Sequence, residues 1–164
     1  MATTSKPIRA VLDACCFLVF IANQEDAAAT ARRVLTLIDD ELVELVESAC
    51  ILTEVPPTHR DDDGSGKRAR ILAMLGSEAV DLRPATRAIA ERAGDYVVSR
   101  GLRPMDAIHL ATAVEAEVVA FVTLDKDDFP IGEVVDGVRI MLPEQFLQDY
   151  FPPNDQPEFT YSEA

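Results

Sequence analysis

The stretch "LRPMDAIHLATAVEAEVVAFVTLDKDDF", Leu102 to Phe129, puts acids where burial penalises them. Asp106 enters a helical pattern that continues with Ala107, Ile108, Leu110 and Ala111, and Asp125 follows the apolar run Val118–Val122. Two further acids stand in comparable places: Asp13 ends the run Ile8–Leu12, and Glu54 precedes Pro56-Pro57 on a short helix candidate. Carboxylates gathered without matching Lys or Arg repel one another unless protons or cations neutralise them. Hard cations with oxygen ligands, Mg²⁺ or Mn²⁺, are the natural neutralisers. The chemistry of such sites is phosphoryl transfer or phosphodiester hydrolysis, with the cation activating water and orienting the phosphate.

Taken singly, each acid also has a structural reading. Asp106 complements a helix dipole, Asp13 caps a helix, Asp125 and Asp128 suit a turn, and Glu54 faces solvent. The functional reading therefore rests on the acids as a set, and on elements able to bring them together.

Those elements alternate. Strand candidates are Pro7–Leu12, Leu42–Val46, Ala79–Leu82, Val118–Val122 and Val138–Leu142. Between them lie helical patterns at Ala14–Ala22, Ala27–Ile38, Ser48 (as its cap) to Val55, Arg68–Leu75 and Pro84–Arg100. Another starts at Pro104, and a last one runs from Pro143 to about Tyr150. Pro84 is expected in the first turn of its helix and Gly101 just past the end. Strands alternating with helices imply an α/β fold with a parallel sheet covered on both faces. In such sheets ligands bind beyond the carboxyl ends of the strands. If the first and fourth strands are neighbours, Asp13, Asp106 and Asp125 meet at one edge.

The chain of 164 residues, 48% hydrophobic, suits one domain, placed at residues 1–150, followed by an acidic, proline-containing tail at 151–164. No apolar run approaches the roughly 20 residues of a membrane helix, and no signal-peptide cleavage site is evident, so a cytoplasmic location without membrane association is expected. Cys15, Cys16 and Cys50 form no CxxC pair and read as reduced thiols. The net charge of −14 argues against passive electrostatic binding of nucleic acid. It leaves room for an enzyme whose cations and local Arg and Lys residues supply the attraction. Arg32, Arg33, Arg60, Lys67, Arg68, Arg70 and Arg103 are the candidates, and a scattered basic set reads first as solvated surface.

"RAVLDACCFLV", "LTEV", "LRPMDAIHLATA" and "FVTLDKDDF" resemble, in order, the blocks of PIN-domain ribonucleases, over roughly residues 8–148. The shape is most similar to the small bacterial members that include VapC-like toxins. The resemblance implies a three-layer α/β/α fold with a four- or five-stranded parallel sheet and an acidic pocket for Mg²⁺ or Mn²⁺. It places the catalytic and metal-binding acids at Asp13, Glu54, Asp106 and Asp125, with Asp128 as a supporting metal ligand and Thr123 hydrogen-bonding within the site. It implies RNA as substrate, and as partners an antitoxin protein and a second copy of the chain. Two features depart from the family pattern. Cys15 replaces a small polar residue two positions after the first Asp, and Pro56-Pro57 shortens the helix holding Glu54.

His109, three residues after Asp106, is either a ligand or base at the site or, as is commoner, a hydrogen-bonded structural residue. His59 beside Arg60 and Asp61-Asp62-Asp63 resembles a metal cluster, but "RDDDGSGK" reads more simply as an exposed loop. The main alternative to an enzyme is a non-catalytic PIN-like module that binds protein or RNA. A receiver-like signalling domain needs an acidic pair near the first strand, and Asp13 stands alone before Ala14-Cys15-Cys16.

Overall fold

Ile8–Leu12 forms β1, a strand apolar on both sides because it runs through the middle of the sheet. The computed structural model describes residues 6–22, 24–57 and 65–152. After β1 come α1 (Ala14–Ala22), α2 (Glu25–Asp39), β2 (Val43–Ser48), α3 (Ile51–Glu54), α4 (Lys67–Leu75) and β3 (Val80–Arg83). The second half holds α5 (Arg87–Arg100), α6 (Pro104–Glu115), β4 (Ala120–Val122), β5 (Val134–Val135), β6 (Val138–Met141) and α7 (Pro143–Tyr150).

The sheet order is β3-β2-β1-β4-β6-β5. The first five strands of that order are parallel, as expected, with Ala10 opposite Leu45 on one side and Ala120 on the other. The sheet is larger than expected by β5, a two-residue antiparallel edge strand. It is joined to β6 through Asp136 (φ 46) and Gly137 (φ 92), both left-handed as a tight primed hairpin turn requires.

Alternation along the strands divides the core into two layers. Leu12, Leu45, Val80, Val122 and Met141 face a cluster with Phe17, Ile38, Ile51, Leu75 and Phe146, from α1, α2, α3, α4 and α7. Val11, Val46, Phe121 and Ile140 face the other, with Ile89, Tyr96, Leu110 and Val114 of α5 and α6. The result is a three-layer α/β/α arrangement. α6 is buried over much of its circumference; Ala107, Ala111 and Ala113 let it lie close to its neighbours.

Several boundaries differ from the sequence expectation. Pro84 precedes α5 rather than opening it. A proline holds the residue before it extended, which suits Arg83 as the end of β3, and the helix starts where the Thr86 hydroxyl accepts the Ile89 N–H at 3.3 Å. Gly101 ends α5 in the left-handed conformation, φ 71, as expected. Ser48 does not cap a helix as expected: β2 continues through it, and α3 starts at Ile51. The run at Val118–Val122 becomes strand only at Ala120, after a turn in which Glu117 takes φ 53. Most of "RDDDGSGK", with His59, lies outside the described residues, as does the tail beyond residue 152; Lys67 falls in α4.

Candidate active site

β1 and β4 end side by side, and their ends are tied together by side chains. Asp13, 5% exposed, has both carboxylate oxygens occupied from behind. Oδ1 accepts the Ala14 N–H at 2.8 Å, and Oδ2 accepts the Thr123 hydroxyl at 2.7 Å and the Cys15 thiol at 3.1 Å. The Cys15 sulfur in turn accepts the Leu124 N–H at 3.2 Å, so the residue that departs from the family pattern still does polar work here. Thr123 has the hydrogen-bonding role expected of it: besides serving Asp13, its hydroxyl accepts the Asp125 N–H at 3.0 Å.

Asp125 orders the chain beyond β4. Its Oδ1 accepts the N–H groups of Asp127 and Asp128, both at 3.0 Å, which folds residues 125–128 into a turn. Phe129 anchors that turn, 1% exposed and packed against Phe121 in a tilted ring pair with centroids 4.8 Å apart. The turn brings Asp128 toward the head of α6, where Arg103 Nε lies 3.1 Å from Asp128 Oδ2. The pair is a charge contact without hydrogen-bond alignment, so that buried oxygen keeps an unfilled hydrogen-bond position.

Asp106, in the first turn of α6, registers the assembly. Its carboxyl is pushed up to about 6, first by burial and then by the charges of Asp13, Asp128 and Glu54, against the opposing pull of Arg103. Three of the other acids picked out from the sequence, at the end of β1, on α3 and in the turn after β4, therefore bear on Asp106 of α6. Asp125 belongs to the same neighbourhood as the residue that shapes the turn.

Glu54 is the last residue of the four-residue α3, which Ile51 and Val55, both 0% exposed, pin to the core. Its Oε2 meets His109 Nε2 of α6 at 2.5 Å. His109 is wholly buried, and its Nδ1 has no hydrogen-bond partner.

One acid was overlooked in the sequence. Glu47, in β2, is 0% exposed. Its Oε1 accepts the Leu12 N–H at 2.8 Å, one residue before Asp13, and its Oε2 has no partner. Burial, together with the charges of Asp13 and Glu54, raises its carboxyl well above the usual range, against the lowering effect of the Leu12 N–H. The signal was available: Glu47 lies between Val46 and Ser48, a carboxylate directly continuing a mostly apolar run, but the strand was expected to end at Val46.

The donors are carboxylate oxygens, the ligand type that Mg²⁺ and Mn²⁺ prefer. Their mutual repulsion and the unfilled positions on Asp128 and Glu47 suit a site built to receive positive charge. Among the described residues, no three His, Cys, Asp or Glu side chains form a preassembled ligand set. The same residues include no helix long and apolar enough to cross a membrane.

A family model described as PIN domain matches residues 10–131. No curated protein matches the chain. Among solved structures, a toxin-antitoxin complex from Klebsiella pneumoniae contains a similar chain. The TM-score is 0.59 at 20% identity, over 82% of this chain and 97% of that one, a likeness of fold.

Proposed function

The chain belongs to the PIN domain family, and on that footing we propose that it is a metal-dependent endoribonuclease, a hydrolase of RNA phosphodiesters. PIN domains are generally nucleases. The observation that carries the reading is the gathering of carboxylates where β1 and β4 end side by side: Asp13 lies buried there, and the turn after β4 brings Asp128 to the head of α6, which carries Asp106. A structural helix cap would not be surrounded in this way.

Asp13, Glu54 and Asp106 would hold Mg²⁺ or Mn²⁺, supported by Asp125 and Asp128. Once bound, the cation would supply Lewis acidity toward the phosphate and a more acidic water. The chain's own residues prepare the place. Thr123, Cys15 and the Ala14 N–H fix the Asp13 carboxylate, and Asp125 shapes the turn that presents Asp128. Arg103, its side chain 77% exposed at the head of α6 and paired with Asp128, would be the cation to meet an incoming phosphate. RNA is taken as the substrate from the resemblance of the sequence blocks.

The structurally similar chain is part of a toxin-antitoxin complex, and the same pairing is proposed here. The net charge of −14 suits a basic partner segment. A homodimer is part of this proposal.

The test is cleavage of a mixed single-stranded RNA pool with EDTA, Mg²⁺ or Mn²⁺, comparing wild type with Asp106→Asn. Cleavage that requires the metal and disappears in the variant supports the reading. Absence of cleavage, with no Mn²⁺ binding by wild type, would leave a PIN-like binding module, a reading to which the brevity of α3 also lends itself.

A further inference from the structure

α3 is too short to fix a side chain by its own helical packing. It has four residues, Val55 leaves helical geometry at φ −114 and ψ 69, and Pro56 follows directly. Glu54, at its last position, is 27% exposed and has no hydrogen bond within its own helix. A glutamate so placed samples several rotamers, and ordering it on demand costs conformational entropy. The restraint comes from another layer of the fold. His109 Nε2, on α6, lies 2.5 Å from Glu54 Oε2.

We propose that His109 is a positioning residue that fixes Glu54 across the α3–α6 gap and leaves Oε1 as the oxygen Glu54 presents to a divalent cation or its water. This rests on the metal-site reading above. His109 is 0% exposed, so its ring is fixed by packing and cannot follow a wandering carboxylate; the carboxylate must come to the ring. With its proton on Nε2, the ring donates to Glu54, and the buried Nδ1 is a bare acceptor rather than a stranded donor. This is the tautomer that the surroundings leave least unsatisfied. His109 also lies three residues after Asp106, a spacing that makes neighbours on one helix surface. α6 thus carries one acid of the site and the restraint on another, and a single rigid helix sets their separation. The arrangement compensates for the proline pair: what α3 cannot hold, α6 does.

The test measures Mn²⁺ affinity of the full chain by electron paramagnetic resonance of free Mn²⁺. His109→Leu keeps apolar bulk without a donor, and His109→Gln can place an amide N–H where imidazole Nε2 was. Each is made in the wild-type and Glu54→Gln backgrounds, with circular dichroism of the metal-free proteins confirming the fold. The expected result is that His109→Leu weakens Mn²⁺ binding about tenfold or more, that His109→Gln restores most of it, and that neither change matters once Glu54 is Gln. If His109→Leu fails to fold, His109→Asn, whose shorter amide falls short of the Glu54 carboxylate, takes its place with the same expected loss and the same dependence on Glu54. Losses that multiply independently in the double variant, or a His109→Leu protein that binds as wild type does, overturn the positioning role and leave the metal site standing. A wild-type chain that does not bind Mn²⁺ overturns both.

Discussion

The Thr123 hydroxyl donates to Asp13 Oδ2 at 2.7 Å, joining the ends of two adjacent parallel strands through a buried, charge-assisted hydrogen bond. The Thr123 hydroxyl oxygen also accepts the Asp125 N–H, so one hydroxyl orients the first acid and starts the turn that carries the last two. Thr123→Val keeps the shape and removes both functions. It should cost about 1–3 kcal/mol in urea unfolding, the usual penalty for stranding a buried polar partner, and should weaken Mn²⁺ binding. Thr123→Ser should retain both. A Val variant as stable as wild type would show that the bond does not hold the strand ends.

The raised carboxyl of Asp106 makes the site a burden on the metal-free protein. Its pKa of about 6 in the folded state exceeds the ordinary 3.8, so the folded state binds more protons than the unfolded one between those values. The contribution is therefore favourable at low pH and is lost as pH rises through about 6. Asp106→Asn should melt higher than wild type at pH 7.5 without metal, and the gap should close as pH falls below 6. Added Mn²⁺ should raise the melting temperature of wild type and leave that of the variant unmoved. A variant that melts lower at every pH would mean the aspartate is a stabilising cap.

Glu47 obeys the same sign with deeper burial. Its carboxyl is raised well above 4.5, so folding is favoured while it stays protonated and is penalised as pH climbs toward its folded-state value. Glu47→Gln preserves the acceptor for the Leu12 N–H and cannot ionise. The difference in melting temperature, variant minus wild type, should grow as pH rises above the ordinary 4.5 in metal-free buffer. A difference independent of pH would indicate that the Glu47 carboxyl is not raised in the folded state.

Phe129 holds the turn from below, so its loss should be felt at the site as well as in the core. Phe129→Ala should destabilise by about 3–5 kcal/mol, the range for emptying a packed aromatic position. Phe129→Leu should recover most of that. If Asp128 depends on this anchor, the affinity of the Leu variant for Mn²⁺ should fall in step with its stability; unchanged affinity would separate the turn from its anchor.

Much of the architecture was visible in residue patterns because buried parallel strands are written as apolar runs. Ile8–Leu12 and Val138–Met141 could be read almost to the residue, as could the helix that Pro143 opens. The hairpin strand β5 was missed although Asp136-Gly137 between Val135 and Val138 is a tight-turn signal. With only two residues it lacks the length that makes a strand periodic. At the site, Asp13, Glu54, Asp106 and Asp125 stood out as acids in unusual places, and Asp128 entered only as a supporting acid beside Asp125. Legible too was the hydroxyl of Thr123. The turn at Asp125 was legible as well, but the pairings across the fold were not: that His109 meets Glu54 and that Glu47 backs Leu12 depend on contacts between residues far apart in the chain. No local pattern encodes them.

The central position of β1 also governs when the site can exist. Synthesis delivers the chain from its amino terminus, and Asp13 emerges 110 residues ahead of the hydroxyl that orients it. Until β4 arrives, β1 has β2 on one side and an open edge on the other, which only a strand made late in translation can close. The acids of α6 and of the turn after β4 belong to the same late portion. On the ribonuclease reading proposed above, that order of assembly would keep the nascent chain harmless to the message and the machinery still producing it.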